Sequence, residues 1–439
     1  MNLPTRILQS SLLRSAGIYT LTNIANASIP FILIPILTSH LSPKDYGLIS
    51  MYTLLIGLTS PFIGLGSQST LTKRFFSQEK FIFSKYVGNC IILVILTTIV
   101  VLLLFLLFNS YLSYYTAITG IWLYTIIAIT LSMYLTQILL IILQVQVKPF
   151  YYGVIQISQS ALNLGLSVWF IVNLKNDWTG RVKGQLWASV FFAILSLVFL
   201  KKNKLLQLKF DKTYIKDILR FGTPVIPHII GGMLLAMTDR IVLANTVGIS
   251  DTGIYTVAYQ IASSLSLLTT SFNNAYAPWL FSKLSQNNYT LKLNIAVFTY
   301  RYFLCLLLFG LIIFFATRWC IPFIVGAAFI NSANYIGWII AGFVFNGMYL
   351  MVTNYIFYAE KTQYLSYVTL SIMLIHFPLC YFLVKHNGVI GAAQANTISY
   401  FIYFVATWLL SIYIYPMPWR EAGASFKNVK SKLSKLPNF

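Results

Sequence analysis

The sequence predicts an all-α integral membrane protein in which about twelve transmembrane helices form two six-helix lobes. Of its 439 residues, 58% are hydrophobic and only 9% are charged, whereas a soluble domain has about 25% charged residues. The apolar runs extend over about 20 residues and do not alternate strictly, which favours helices over β-strands. Because lipid offers no hydrogen bonds, every backbone polar group must be paired within the protein, and long helices meet this requirement.

Twelve apolar segments are long enough to span a bilayer. The first is too long for the core of a signal peptide, and no small-residue cleavage site follows it, so we expect it to remain as the first helix. The predicted spans are 15–38, 46–71, 84–108, 116–144, 150–174, 184–200, 217–245, 253–282, 292–316, 331–358, 364–384 and 391–415.

The distribution of charge predicts the orientation of these helices. The net charge is +21, but the basic residues lie in short clusters between apolar runs, which indicates membrane topology rather than nucleic-acid binding. With a cytoplasmic N-terminus, 22 of the 30 Lys and Arg residues fall on the inner side and six on the outer side. Both termini are therefore predicted to be cytoplasmic. The outer loop containing Lys175, Arg181 and Lys183 is the exception to this pattern.

The chain also shows signs of an internal repeat at a spacing of 206 residues. Six helices per half return the chain to its starting side, so the halves would be parallel repeats related by an axis along the membrane normal. We predict lobes at 1–200 and 217–415, a basic cytoplasmic linker at 201–216 and a basic cytoplasmic tail at 416–439. The aligned pairs are Arg14 with Arg220, Asp45 with Asp251, and Gly47 with Gly253.

Two stretches carry a family resemblance. The first consists of Arg14-x-x-Gly17, Ile29-Pro30-Phe31, Ile34-Pro35-Ile36-Leu37 and Leu41-Ser-Pro-Lys-Asp-Tyr-Gly47. The second is Thr238-Asp239-Arg240-Ile241-Val242-Leu243, followed by Gly253-Ile254-Tyr255. Together they resemble the O-antigen repeat-unit flippase (Wzx-type) family of polysaccharide transporters, within the superfamily of multidrug, oligosaccharidyl-lipid and polysaccharide exporters.

The resemblance implies two lobes around a central cavity and alternating access between cytoplasm and periplasm. It also implies residence in the bacterial inner membrane and an undecaprenyl-pyrophosphate-linked oligosaccharide as substrate. The expected role is translocation for O-antigen or related surface polysaccharide, without enzymatic activity. We expect a monomer, with a polysaccharide polymerase as a candidate partner and no nucleic-acid ligand.

Four arginines are candidates for binding the anionic head group of such a substrate: Arg14, Arg220, Arg240 and Arg301. Arginine suits a phosphate because its planar guanidinium donates two parallel hydrogen bonds and stays charged. Under the repeat, Arg14 and Arg220 would occupy equivalent inner helix ends. The alternative is that they only anchor the helices at the inner interface.

Asp239 is the one acidic residue well inside a predicted span and is our candidate for coupling to a proton or sodium ion. The alternative is an inter-helix link that stabilises the second lobe. No cofactor and no metal site are expected. The four cysteines lack the C-x-x-C spacing of a metal site and are read as small packing residues.

Amide side chains are concentrated in several spans. Asn26 in the first span and Gln156, Gln159 and Asn163 in the fifth are examples. Amides of this kind can hydrogen-bond a sugar, and they can equally hold neighbouring membrane helices together.

Two other function classes remain open at the level of sequence. A multidrug or small-molecule cation antiporter on the same scaffold would favour several intramembrane carboxylates, where this chain has one. A membrane polysaccharide polymerase would need a sizeable outer loop with catalytic residues, and the confident outer loop near 175–183 is short. The absence of a G-x-x-x-x-G-K-[ST] motif argues against ATP hydrolysis.

Overall fold

The computed structural model describes residues 3–75, 82–223 and 226–424, and within these ranges it is helical with no strand. Ten helices in the described part of the chain are long and apolar enough to cross a membrane. The predicted class, a multi-pass all-α membrane protein, is therefore confirmed.

The chain divides into two compact units. The first extends to Thr256 and also includes Val325–Phe329, and the second comprises Val257–Ile324 and Ile330–Phe439. The division differs from the predicted lobe boundaries, which stay a prediction. Helix α10 lies in the first unit because it packs against α2 and α5.

The helices up to α11 are α1 (Leu3–His40), α2 (Pro43–Thr59), α3 (Ser67–Phe75), α4 (Phe83–Leu107), α5 (Asn109–Thr116), α6 (Ile121–Val145), α7 (Pro149–Val168), α8 (Trp178–Lys202), α9 (Lys212–Gly222), α10 (Ile226–Thr246) and α11 (Ile249–Ala262). Those that follow are α12 (Ser264–Leu284), α13 (Tyr289–Ile324), α14 (Ala333–Tyr358), α15 (Thr362–Asn387) and α16 (Val389–Ile414).

The predicted spans 46–71 and 253–282 are not continuous helices. A short 3-10 helix and a turn separate α2 from α3, and in that turn Gly64 and Gly66 have positive φ angles of 84° and 74°. Glycine adopts this conformation at little steric cost. The second interruption is at Ser263, between α11 and α12. The two interrupted spans are equivalent positions in the predicted repeat.

Helix boundaries follow the predicted spacing in the first part of each half. Helices α2 and α11 begin at Pro43 and Ile249, and α4 and α13 begin at Phe83 and Tyr289, so each pair is 206 residues apart. The spacing then increases, since α13 has 36 residues and α4 only 25. The predicted end of the ninth span at residue 316 was therefore too early.

The linker predicted at 201–216 is attached to α4 by backbone contacts. Residues 203–211 follow the end of α8 and are not helical. The amide of Gln207 donates to the carbonyl of Ser84. The Asn89 side chain donates to the Lys209 carbonyl and accepts from the Asp211 amide at 2.8 Å. The end of the linker and the start of α9 are thereby fixed to the first unit.

An ion pair holds α9 in place. Arg74 on α3 donates to both carboxylate oxygens of Asp217 on α9, at 2.6 and 2.9 Å. The Tyr86 hydroxyl on α4 donates to the same carboxylate at 2.9 Å. This bidentate geometry is the strong form of the arginine–carboxylate contact. Three helices of the first unit are thus joined at one carboxylate.

The core of the second unit is rich in aromatic and hydroxyl contacts. Helices α14 and α16 pack closely, and the rings of Tyr349 and Tyr403 stack with centroids 4.2 Å apart. The Tyr403 hydroxyl also hydrogen-bonds Thr369 on α15 at 2.9 Å. Trp419 is buried against Tyr300, so the first residues of the predicted tail are packed on this unit. Residues 425–439 of that tail lie outside the described residues.

The repeated glycines Gly47 and Gly253 lie at a close contact between α2 and α11. A Cβ atom at Gly47 would lie 2.0 Å from the carbonyl oxygen of Ile249, and one at Gly253 would lie 2.0 Å from that of Pro43. Glycine is therefore required at both positions, because the opposing atoms belong to backbone and cannot rotate away. Such small residues at helix contacts are typical of membrane bundles.

We expect Gly253→Val to lower the free energy of unfolding by about 1–3 kcal/mol, because overpacking forces backbone shifts. Thermal unfolding of the purified protein in detergent would measure the effect. Gly165→Ala is the matched control, since Gly165 is also helical and has nothing within 4 Å of its Cβ direction. Equal melting temperatures for both variants would contradict the proposed packing role of Gly253.

Candidate functional site

The predicted inner arginines do not form one described cluster. Arg14 lies in α1, and its side chain is outside the described part of the structure. Arg220 is exposed in the last turn of α9. The prediction placed Arg220 at the start of the seventh span, but α9 is a separate amphipathic helix and α10 begins at Ile226. Their proposed joint role in head-group capture stays a prediction.

Asp239 and Arg240 are both buried in α10. The Tyr255 hydroxyl on α11 donates to the Asp239 carboxylate at 2.6 Å, which links the two helices. Arg240 donates to the carbonyl of Ala236 on its own helix at 2.7 Å. These contacts fit the alternative of an inter-helix link, and they leave ion coupling by Asp239 untested.

Arg301 lies in the second unit, in the fourth turn of α13, and its side chain is exposed. At 1.5 Å per residue, its position is about 18 Å from the start of the helix. It therefore lies well inside the helix and not at its end. The structure assigns it no ion pair among the described residues.

The first unit contains a polar cavity of about 190 Å³ between α1, α6, α7 and α8. A single water needs only about 15 Å³ on this scale, so the space accommodates a ring-sized polar group. Uncharged hydrogen-bonding groups dominate its wall. The polar lining residues are Asn26, Gln137, Gln156, Gln159, Ser160, Asn163, Gln185 and Ser189.

Helix periodicity brings these side chains to one place. On α7, Gln156, Gln159 and Asn163 are three and four residues apart, so they share one helix face. On α8, Gln185 and Ser189 are four residues apart, so they also share one helix face, and this face lines the same cavity. Because an amide both donates and accepts hydrogen bonds, this wall can bind hydroxyl groups in several orientations.

One acceptor in the wall is unpaired. The Oε1 atom of Gln156 is buried and accepts no hydrogen bond from a described residue. By contrast, Ser160 on α7 donates to the Asn26 side chain on α1. A buried polar atom without a partner costs about 1–3 kcal/mol. A hydroxyl donor entering the cavity would remove that cost.

Arg181 lies next to this wall. Its guanidinium donates to the Asn163 side chain, which also lines the cavity, and to the Ser167 hydroxyl at 2.7 Å. Both partners are neutral. The single ion pair found among the described residues joins Arg74 and Asp217, so the charge of Arg181 has no carboxylate counter-ion there. A half-buried cation with neutral partners is suited to binding an anion.

Arg181 was predicted to lie in an outer loop, and the loop assignment is wrong because Arg181 lies in a helix. Helix α8 begins at Trp178, six residues before the predicted span, and Arg181 lies in its first turn. The missed signal is Asp177, whose carboxylate caps the helix by accepting from the Thr179 amide at 3.0 Å. An Asp immediately before a helical pattern is a start signal.

Other polar residues in the described ranges pair with one another. The Asn354 amide donates to Asn273 at 2.8 Å, and Asn387 donates to Gln394 at 2.7 Å. These residues therefore act as inter-helix contacts. In the described part of the chain, no cluster of three or more His, Cys, Asp or Glu side chains is placed to hold a metal ion.

The fold is similar to that of solved membrane transporters. The structure is similar to the lipid II flippase MurJ, with a TM-score of 0.72 and 14% identity over 96% of this chain and 93% of the other. It is also similar to an inward-facing multidrug resistance MATE family transporter of the MOP superfamily, with a TM-score of 0.67 and 15% identity over 90% and 94%. These similarities confirm the predicted fold class.

The chain belongs to the polysaccharide biosynthesis protein family, whose model matches residues 12–284. Two relatives come from Haemophilus influenzae. An uncharacterized membrane protein is 26% identical over 83% of this chain and 89% of its own length. The Lsg locus putative protein 1 is 22% identical over 89% of this chain and 97% of its own length.

We expect two amide substitutions in the cavity wall to affect stability differently. Gln156→Leu should leave the free energy of unfolding unchanged or higher, because it removes an unpaired acceptor. Asn163→Leu should lower it by about 1–3 kcal/mol, because it removes a partner of the Arg181 charge. Thermal unfolding in detergent would compare the two. A larger loss for Gln156→Leu would show that its amide holds helices together.

Proposed function

We propose that this protein is a flippase that moves undecaprenyl-pyrophosphate-linked oligosaccharide repeat units from the cytoplasmic to the periplasmic leaflet. The observation that carries the proposal is the amide-lined cavity beside Arg181. Amides offer the hydrogen bonds that sugar hydroxyls would lose on leaving water. The guanidinium offers a positive charge for a phosphate.

The energetics of translocation require both kinds of group. The hydrocarbon layer is about 30 Å thick, and a hydroxyl that enters it without a partner costs several kcal/mol. An unpaired charge costs far more. A protein that moves a sugar and a phosphate through this layer must therefore replace their hydration with its own donors, acceptors and cations.

The relatives support this substrate class. The family is described as a polysaccharide biosynthesis protein family, and one structural neighbour is described as a lipid II flippase. A multidrug transporter is also a structural neighbour, with a somewhat lower TM-score, and fold alone does not determine function. A cationic drug would be repelled by Arg181, so the site favours the anionic lipid-linked sugar over the antiporter alternative.

We also propose that the protein lies in the bacterial inner membrane with both termini in the cytoplasm, serving O-antigen or related polysaccharide synthesis. The charge distribution supports the orientation. A polysaccharide polymerase is the proposed partner, because it would consume the repeat units delivered to the outer leaflet.

We expect Arg181→Gln to reduce delivery of repeat units about tenfold or more, since a charge-assisted hydrogen bond contributes about 1.5–3 kcal/mol. Arg181→Lys should retain part of the activity, because the charge remains and the bidentate geometry is lost. The assay restores each variant to a gene-deletion strain and quantifies surface polysaccharide and undecaprenyl-linked intermediates.

Lys175→Gln is the matched control, because Lys175 is an exposed cation near the same end of α8. Each variant must reach the membrane at the wild-type level. Full polysaccharide from Arg181→Gln would exclude the proposed role of Arg181. If the deletion strain shows normal polysaccharide and altered drug sensitivity, the antiporter function replaces the flippase function.

Asp239 is our proposed site for a coupling proton or sodium ion, because it is a buried carboxylate in a membrane-spanning helix. Asp239→Asn should then abolish the dependence of transport in vesicles on an imposed pH or sodium gradient. Tyr255→Phe tests the structural alternative, since it removes the inter-helix hydrogen bond and retains the carboxylate. Lower thermal stability in both variants, with unchanged ion dependence of the protein that remains folded, would assign Asp239 a structural role.

A further inference from the structure

The second unit contains an apolar groove of about 470 Å³ between α13 and α14. Its floor includes the buried side chains of Ile340 and Val344. Leu307 and Leu311 form part of its wall, and both are substantially exposed. The groove is thus an open, hydrophobic channel and not a closed packing defect.

The groove follows the helix axes. On α13, Leu307, Leu311, Phe314 and Arg318 are three or four residues apart and Gly310 adjoins Leu311, so the lining residues share one helix face. This face is about 16 Å long at 1.5 Å per residue. Gly337 lies against Phe314, where an added Cβ atom would be 2.8 Å from the ring, and Gly310 lies against Val344. The two helices are therefore antiparallel, and Arg318 and Asn334 meet at one end.

The polar lining residues, Arg318 and Asn334, lie at that end of the groove. Arg318 is exposed and has no ion-pair partner among the described residues. Phe315, Trp319 and Phe323 are exposed on the same stretch of α13, at 66%, 73% and 79%. Trp is enriched at the membrane–water interface, and a long Arg side chain near a helix end extends to that interface. Arg318 therefore lies at the depth of lipid head groups.

We propose that this groove binds the polyprenyl chain of the carrier lipid, with the phosphate-bearing end of the lipid at Arg318. The proposal rests on the proposed function, since it takes the carrier lipid as the substrate. An apolar channel that ends in a cation at head-group depth matches an anionic lipid in both chemistry and direction. On the predicted topology this end faces the outer side, where the carrier arrives after translocation.

The shape favours a polyprenyl carrier over a bilayer phospholipid. The channel is single, so it accommodates one chain, and a phospholipid would leave its second chain outside. One arginine and one asparagine at the end supply donors for a phosphate group and no counter-charge for a cationic head group. The groove thus favours lipids that have one hydrocarbon chain and an anionic head group.

Binding of undecaprenyl phosphate to the purified full-length protein tests the proposal, with native mass spectrometry as the readout. Ala341→Phe fills the groove and should abolish the binding. Arg318→Gln removes the cation and should weaken it about tenfold. Two controls should bind as the wild type does: Ala316→Phe, which changes an exposed α13 residue outside the groove, and Lys385→Gln, which removes an exposed cation on α15.

The outcomes separate this proposal from the proposed function. Wild-type affinity in both Ala341→Phe and Arg318→Gln would overturn the groove assignment and leave the flippase function standing. Displacement of the probe by equimolar phosphatidylglycerol would identify a bilayer lipid site instead. A wild-type protein that does not bind the probe would contradict both proposals. Melting temperatures of the variants would show whether Ala341→Phe is folded, and Arg318→Gln provides the second test.

Discussion

The constraint on which the structure depends is the lack of water in the bilayer core. Backbone groups there must be paired within the chain, so the described residues are almost entirely helical. The same constraint applies to each side chain. Tyr255 satisfies Asp239, and Thr side chains donate to carbonyls of their own helices. Several buried side-chain polar atoms of the described residues have no hydrogen-bond partner, and among them the Gln156 oxygen lies in the wall of the cavity.

The surroundings of the arginines separate structural from functional charge. Arg74 meets a carboxylate with bidentate geometry, so its charge is neutralised within the protein. Arg181 has neutral amide and hydroxyl partners, which orient the guanidinium and leave its charge available to a ligand. Arg318 is exposed at the end of an apolar groove. The sequence did not show which arginine has a counter-ion, because the carboxylate that pairs with Arg74 is 143 residues away along the chain.

Sequence was sufficient for the fold class because the hydropathy of each span is encoded locally. The repeat aligned Gly47 with Gly253 without predicting a contact, and the structure places both glycines at the same helix crossing. The cavity was not predictable in the same way. Asn26, Gln137, Gln156 and Gln185 come from four separate helices, and only packing brings them together. Arg181 was missed because the start of α8 was placed six residues too late, which turned a first-turn residue into a loop residue.

The cavity and the groove offer different kinds of contact to a ligand. The cavity of the first unit offers neutral hydrogen bonds beside a cation, and the groove of the second unit offers apolar surface that ends at a cation. A small cationic drug gains nothing from either arginine, and a free sugar gains nothing from the groove. A bilayer phospholipid would not use an amide-lined cavity. The proposed substrate, a lipid-linked oligosaccharide, is amphipathic, anionic and glycosylated, so it would use all of these features.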